Sequence, residues 1–129
     1  PWPLRTTPTT GSSTKLKFAF GSCTKHDDQP IFGPILSYNP DLFLFLGDNH
    51  YANSNDLNAL RQYYRWAHER SERSTMMSSV PILATWDDHD FVGNNTDGRE
   101  PGKAVALRVF KEYWANPSYG TVDTEGVFF

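Results

Sequence analysis

Three short stretches hold the residues whose types and spacing could do chemistry. "GSCTKHDD" (21–28) carries Cys23 and His26, "GDNHY" (47–51) carries Asp48, His50 and Tyr51, and "WDDHD" (86–90) sets Asp87, Asp88 and Asp90 around His89. The third is the least ordinary. Crowded carboxylates repel one another, and each resists leaving water. A greasy run that drives into such a cluster therefore calls for a cation or for full solvation. The apolar "ILATW" before it, with Trp86 at its end, favours the cation.

Each stretch supports a metal reading and a plainer one. Gly47 lets the chain turn sharply, so that Asp48 projects from a strand end, where a carboxylate can bind one ion or bridge two. Tyr51 could bind as a phenolate, which suits a hard, highly charged cation such as Fe(III). Equally, Asp48 could cap a turn and Tyr51 pack as a half-buried aromatic. A lone Cys such as Cys23 is most often a small buried hydrophobe, but its place just after a strand makes it a thiolate candidate. Within "WDDHD", one Asp can serve as ligand while His89 protonates a leaving alkoxide, since imidazole titrates near neutral pH. The plainer alternative is an acidic turn in which Asp87 or Asp88 caps and His89 bonds nearby. Asn94 and Asn95 are candidate donors to a phosphoryl oxygen, although Asn in such a loop commonly makes turns. His26 and His50 are read as structural loop residues, and His68 as exposed on the polar side of a helix.

The elements that must position these groups follow from periodicity. "KLKFAFG" alternates, with Leu16, Phe18 and Phe20 on one side, and predicts a strand buried on that side and stopped by Gly21. "PIFGPILSYNP" predicts a short helical connection broken by prolines. Leu42 to Leu46 are continuously apolar, as in a strand buried on both faces. Residues 56–69 predict a helix with Asp56 near its start and Leu57, Leu60, Tyr64 and Ala67 on one side. "ILATW" predicts a third strand and "NNTDGREPG" a loop. Residues 103–115 predict a second helix, with Val105, Ala106, Val109, Phe110 and Tyr113 as its apolar stripe. "GVFF" (126–129) reads as a strand beginning. The order is that of an α/β fold with a parallel sheet. All three chemical stretches lie at carboxyl ends of strands, where open α/β sheets bind ligands.

Composition limits the classes of function. A chain of 129 residues with 38% hydrophobic and 15% aromatic content can build a core, which argues against disorder. The net charge of −3 offers no basic face for nucleic acid. The single cysteine excludes an internal disulfide, and no apolar run is long enough to span a bilayer. Residues 1–15, rich in Pro and Thr, read as a lead-in or linker and not as a signal peptide.

Taken together, these stretches resemble the alkaline phosphatase D (PhoD-like) family of metallophosphatases, relatives of the purple acid phosphatases. The likeness runs in order through "FAFGSC", "PDLFLFLGDNHYA", "PILATWDDHDF" and "PGKAVALRVFKEYW", within residues 16–129. It implies a calcineurin-like αββα sandwich, of which this chain would be an incomplete N-terminal half. It also implies hydrolysis of phosphate monoesters or diesters by metal-activated hydroxide. Carried over by motif, Asp48 bridges two metals, Tyr51 binds Fe(III), Cys23 is a ligand after the first strand, Asp88 stands where related enzymes have a ligand Asn, and His89 is the catalytic acid. Iron with calcium or another divalent ion is the implied metal set, a phosphate ester the implied substrate, and an extracytoplasmic or secreted setting the implied location. Two departures stand out. Val92 precedes the Gly93 that would follow directly, and the late His- and Asp-rich ligand motifs do not occur in this chain. The missing half, or self-association, would then be needed to cover the sheet. The alternative reading is a metal-binding or interaction fragment without turnover.

Overall fold

The first three predicted strands form, and they lie side by side. The computed structural model describes residues 9–121, so the strand expected at 126–129 lies outside the described residues. Strands β1 (Phe18–Gly21), β2 (Leu42–Leu46) and β3 (Ile82–Thr85) make a parallel sheet in the order β1-β2-β3. Ala19 pairs with Phe43, which pairs with Ile82, and Gly21, Phe45 and Ala84 align two residues further on. Asn116 closes the side of β3 by accepting from the Ala84 N–H at 3.0 Å and donating to the Ala84 carbonyl at 2.7 Å. An amide side chain thus stands in for the next strand's backbone.

Five helices connect and cover this sheet: α1 (Phe32–Ser37), α2 (Leu57–His68), α3 (Ser71–Ser79), α4 (Asp88–Phe91) and α5 (Lys103–Tyr113). The Asp56 side chain caps α2 by accepting from the Ala59 N–H at 2.8 Å. Leu60, Tyr64 and Ala67 of α2 and Ala106, Val109 and Phe110 of α5 are buried, as their spacing predicts. Helix α3 is not foreshadowed by periodicity. Its nine residues contain two methionines and four serines, too few apolar positions for a helical period. Only Arg73 and Met76 are buried, three residues apart on one side. Tertiary contact, more than local pattern, makes this helix.

The helices cover the sheet face that carries Ala19, Phe43, Phe45 and Ala84. Phe43, Phe45 and Ala84 join Phe32, Leu60, Tyr64, Met76, Phe110 and Trp114 in the core. This corrects two expectations. The alternation in β1 is real, but Leu16, Phe18 and Phe20 lie on the other side, where Phe18 is 56% and Phe20 63% exposed. Strand β2 is buried on one face only, and Leu46, which shares the side of Leu44, is 44% exposed. An alternating pattern defines two sides without saying which one is covered.

His68 is the third correction. It packs edge-on against Tyr64, Tyr113 and Trp114, with ring centroids 5.8, 5.7 and 5.1 Å away. Burial, reinforced by the positive charge of Arg73, lowers its pKa to about 3, and the same two causes in the same order bring His50 to about 3. Both are therefore neutral when folded and would take up protons near pH 6.5 when unfolded. Their contribution is present above pH 6.5 and is lost as pH falls towards 3. Asp90, pushed up to about 7 by burial, acts in the opposite sense between its unfolded value and 7. Two histidines outweigh one aspartate, so stability is expected to fall on acidification from pH 6.5 to 4. Each histidine contributes a slope of up to about 1.4 kcal/mol per pH unit. Urea unfolding at pH 7.5 and 5.0 checks this, and His68→Gln should flatten the acid limb.

Candidate metal centre

The sheet ends in three turns that lean on one another. Gly47 leaves β2 at φ +95°, and a Cβ there would lie 2.5 Å from Asp87 Cβ and 2.9 Å from Asp87 N. Only glycine lets the β2 and β3 exits approach this closely. Cys23 and Asp48 both adopt the left-handed region, with φ of 62° and 53°. Such backbones cost roughly 1–3 kcal/mol each in a non-glycine residue and gather at functional sites. Two backbone bonds tie these turns together: Cys23 N–H donates to the Gly47 carbonyl at 3.2 Å and Thr24 N–H to the Asp48 carbonyl at 2.8 Å.

The carboxylate of Asp48, 7% exposed, is the hub. Its Oδ2 accepts from the Tyr51 hydroxyl at 3.0 Å and from the Cys23 thiol at 3.5 Å. Its Oδ1 faces the His89 N–H at 3.4 Å. Asp48, Asp88 and His89 each bring one ligand atom to within 4.8 Å of the others. Partial burial, and then the hydrogen bonds to Cys23 and Asp48, raise the pKa of Tyr51, so its hydroxyl keeps its proton. The Tyr51 and His89 rings stack at a tilt, with centroids 4.3 Å apart.

No protein-family model and no curated protein matches the chain. A solved structure described as "Structure of PhoD" does, with a TM-score of 0.73 and 18% sequence identity. The match takes in 93% of this chain and 30% of that one. The chain has a PhoD-like fold. It spans less than a third of the length of the PhoD chain it matches.

Within this PhoD-like fold the three acids of "WDDHD" do three different things. Asp87 caps α4, accepting from Asp88 N–H at 2.9 Å, and forms a reciprocal capping box with Asp90. Asp90 is 2% exposed. It accepts from the backbone N–H of Asn49 at 2.9 Å and of Asp87 at 3.1 Å, and so ties the β2 turn to the β3 turn. Asp88 and His89 are left facing Asp48. One Asp88 oxygen accepts from Asn95 N–H at 2.6 Å. His89 Nδ1 lies 2.6 Å from Asn53 Oδ1. That oxygen can only accept, so Nδ1 donates and Nε2 is the atom left for the site.

Asp48, Asp88 and His89 therefore form the group whose ligand atoms lie together, and Cys23 and Tyr51 join it through their hydrogen bonds to Asp48. The side chains of Asn94 and Asn95 are exposed, and Asn95 enters the site through its backbone N–H. His50 is fully buried against Tyr64, with centroids 4.3 Å apart. A cleft of about 280 Å³ opens beside Asp88, lined by Trp86, Phe91, Thr96, Asp97 and Lys103 among others. Sequence reasoning missed Asn49, Asn53 and Arg73. For the first two the only available signal was an Asn within or just beyond "GDNHY".

Proposed function

We propose that the chain supplies the metal centre of a phosphoesterase acting on phosphate monoesters or diesters, with Asp48 as bridging ligand and His89 as general acid. The observation that carries this is the convergence of a thiol, a phenol and an imidazole-bearing turn on one buried, strained carboxylate. Such a donor set divides between two ions: the thiolate and phenolate suit iron, and the carboxylate oxygens suit a hard divalent ion such as calcium. Cys23, Asp48, Tyr51 and Asp88 would hold the ions. When bound, these supply Lewis acidity and lower the pKa of water. The chain's own groups do the rest. Asn53 fixes the His89 ring so that Nε2 can give a proton to the leaving oxygen. Asp88 borders the cleft beside Trp86 and Phe91, which offers room for the alcohol portion of the ester. Asn94 and Asn95 stand at the exposed rim as candidate donors to the phosphoryl oxygens. The strand-end motifs of the PhoD-like family and the fold likeness support this reading, with its αββα sandwich and extracytoplasmic setting.

A second reading has its own observation. The open sheet face with Phe18, Phe20 and Leu46 favours a chain that binds metal but needs a further layer of structure for turnover.

The test is titration of the chain with Mn(II) and Fe(III), followed by hydrolysis of a chromogenic phosphodiester. Metal binding with turnover supports the first reading, metal binding without turnover the second, and no metal binding overturns both. Where turnover is seen, His89→Ala is expected to lower kcat by roughly a hundredfold, the usual size for a positioned acid. The loss should shrink for good leaving groups. Asp88→Ala should instead weaken metal binding and slow every substrate alike. If His89→Ala loses metal as Asp88→Ala does, His89 is a ligand and not the acid.

A further inference from the structure

Behind the centre, on the core side of the turns, lies a charge that the chemistry proposed above does not use. Arg73 of α3 is 2% exposed. Its Nη1 donates to Thr24 Oγ1 and to the Asn49 carbonyl, both at 3.0 Å. Its guanidinium lies over the Phe45 ring of β2 at 4.9 Å and the Trp114 ring at 5.7 Å. Thr24 and Asn49 are the residues that directly follow Cys23 and Asp48, which both have left-handed backbones. Thr24 is itself buried and its N–H already donates to the Asp48 carbonyl. One buried nitrogen thus bonds to both turns just after the residues that face each other.

We propose that Arg73 is a positioning residue: from inside the core it clamps the turns after β1 and β2 at the spacing that brings Cys23 against Asp48. The proposal rests on the metal-centre reading for what the clamp is for, while the clamp itself is a property of the fold. A guanidinium is costly to bury without a carboxylate in contact, and an apolar side chain would fill this core position at less cost. Hydrogen bonds from a charged donor are also stronger than neutral ones. Both suit a group that must hold strained turns against relaxation. Without it, the Thr24 hydroxyl and Asn49 carbonyl lose a common donor, and the left-handed backbones at 23 and 48 are free to relax and separate the thiol from the carboxylate. The described hydrogen bonds of Arg73 go to Thr24 and Asn49 and not to the five candidate site residues, so its hold on their geometry runs through those two neighbours.

The experiment compares the wild-type chain with Arg73→Met and Arg73→Lys, by amide hydrogen exchange and by Mn(II) binding. In Arg73→Met, exchange at Cys23, Thr24 and Asn49 is expected to quicken at least about tenfold, while α2 and α5 keep their protection, the signature of local opening. Mn(II) affinity should fall by about 10–100-fold, the range for groups that orient metal ligands. Arg73→Lys keeps charge and donors and should recover most of both. If Arg73→Met does not fold, Arg73→Gln, which removes the charge and the reach of the guanidinium but leaves a polar group in this niche, decides on the same two readouts. Equal loss of protection in all elements, or unchanged turns in the folded variants, would overturn the proposal. A wild-type chain that binds no Mn(II) would remove the metal-centre reading, and the exchange pattern would still judge Arg73.

Discussion

Asp48→Asn is expected to abolish metal binding while leaving the chain folded. Asparagine tolerates the left-handed backbone found at this position and keeps an oxygen for the Tyr51 hydroxyl. It lacks the charge and the second oxygen that a bridging ligand needs. Because Oδ2 of Asp48 is shared by Cys23 and Tyr51 and Oδ1 faces His89, no other described residue occupies this central position. Lewis-acid stabilisation supplies several kcal/mol of transition-state energy, so hydrolysis should fall by roughly a thousandfold or more. Stability in the absence of metal should be unchanged or slightly higher, since one carboxylate near the buried Asp90 is gone. Equilibrium dialysis with Mn(II) and urea unfolding of the same samples check the two halves. Retention of wild-type affinity by Asp48→Asn would remove Asp48 from the ligand set and the proposed bridging role with it.

Gly47→Ala should damage fold and site together. The new methyl would meet Asp87 Cβ at 2.5 Å, Asp87 N at 2.9 Å and the Trp86 carbonyl carbon at 3.1 Å. Two of these three atoms are backbone, so a rotamer change cannot relieve the clash. The φ of +95° adds strain of its own. Overpacking and backbone strain each cost about 1–3 kcal/mol, a large share of a typical domain's total of about 5–15 kcal/mol. The least costly relaxation moves the β3 exit away from β2, which carries Asp88 and His89 off Asp48. Urea unfolding is therefore expected to show a loss of about 3 kcal/mol or more, with metal affinity lost in the fraction that stays folded. Gly33→Ala is the control. Gly33 lies in α1, where an added methyl would have nothing within 4 Å, and alanine there should be neutral or slightly stabilising. Equal stability of the two variants would show that the close approach of the strand exits is not a constraint.

Much of the architecture was legible in the residues. The runs at 18–21, 42–46 and 82–85 are strands because β-branched, aromatic and leucine residues crowd between turn formers. Helices α2 and α5 follow from apolar positions at helical spacing, and these signals are local. That the turns carrying Cys23, Asp48 and Asp88 leave the sheet at one edge also followed from sequence, since parallel neighbouring strands present their carboxyl ends on the same edge. Other features depended on distant parts of the chain. Period-two alternation in β1 could not say which side the helices would cover, and it is Ala19, not Phe18 and Phe20, that faces the core. The Ser-rich stretch at 71–79 became a helix, and His68 lost its solvent, through contacts with other elements. The acids of "WDDHD" were indistinguishable as a string of charges. Only the packed turns could make Asp87 a cap, Asp90 a buried tie to Asn49, and Asp88 a candidate ligand. A carboxylate's role is set by the donors and charges around it, and for Asp90 the donor that decides it, the Asn49 N–H, lies 41 residues away along the chain.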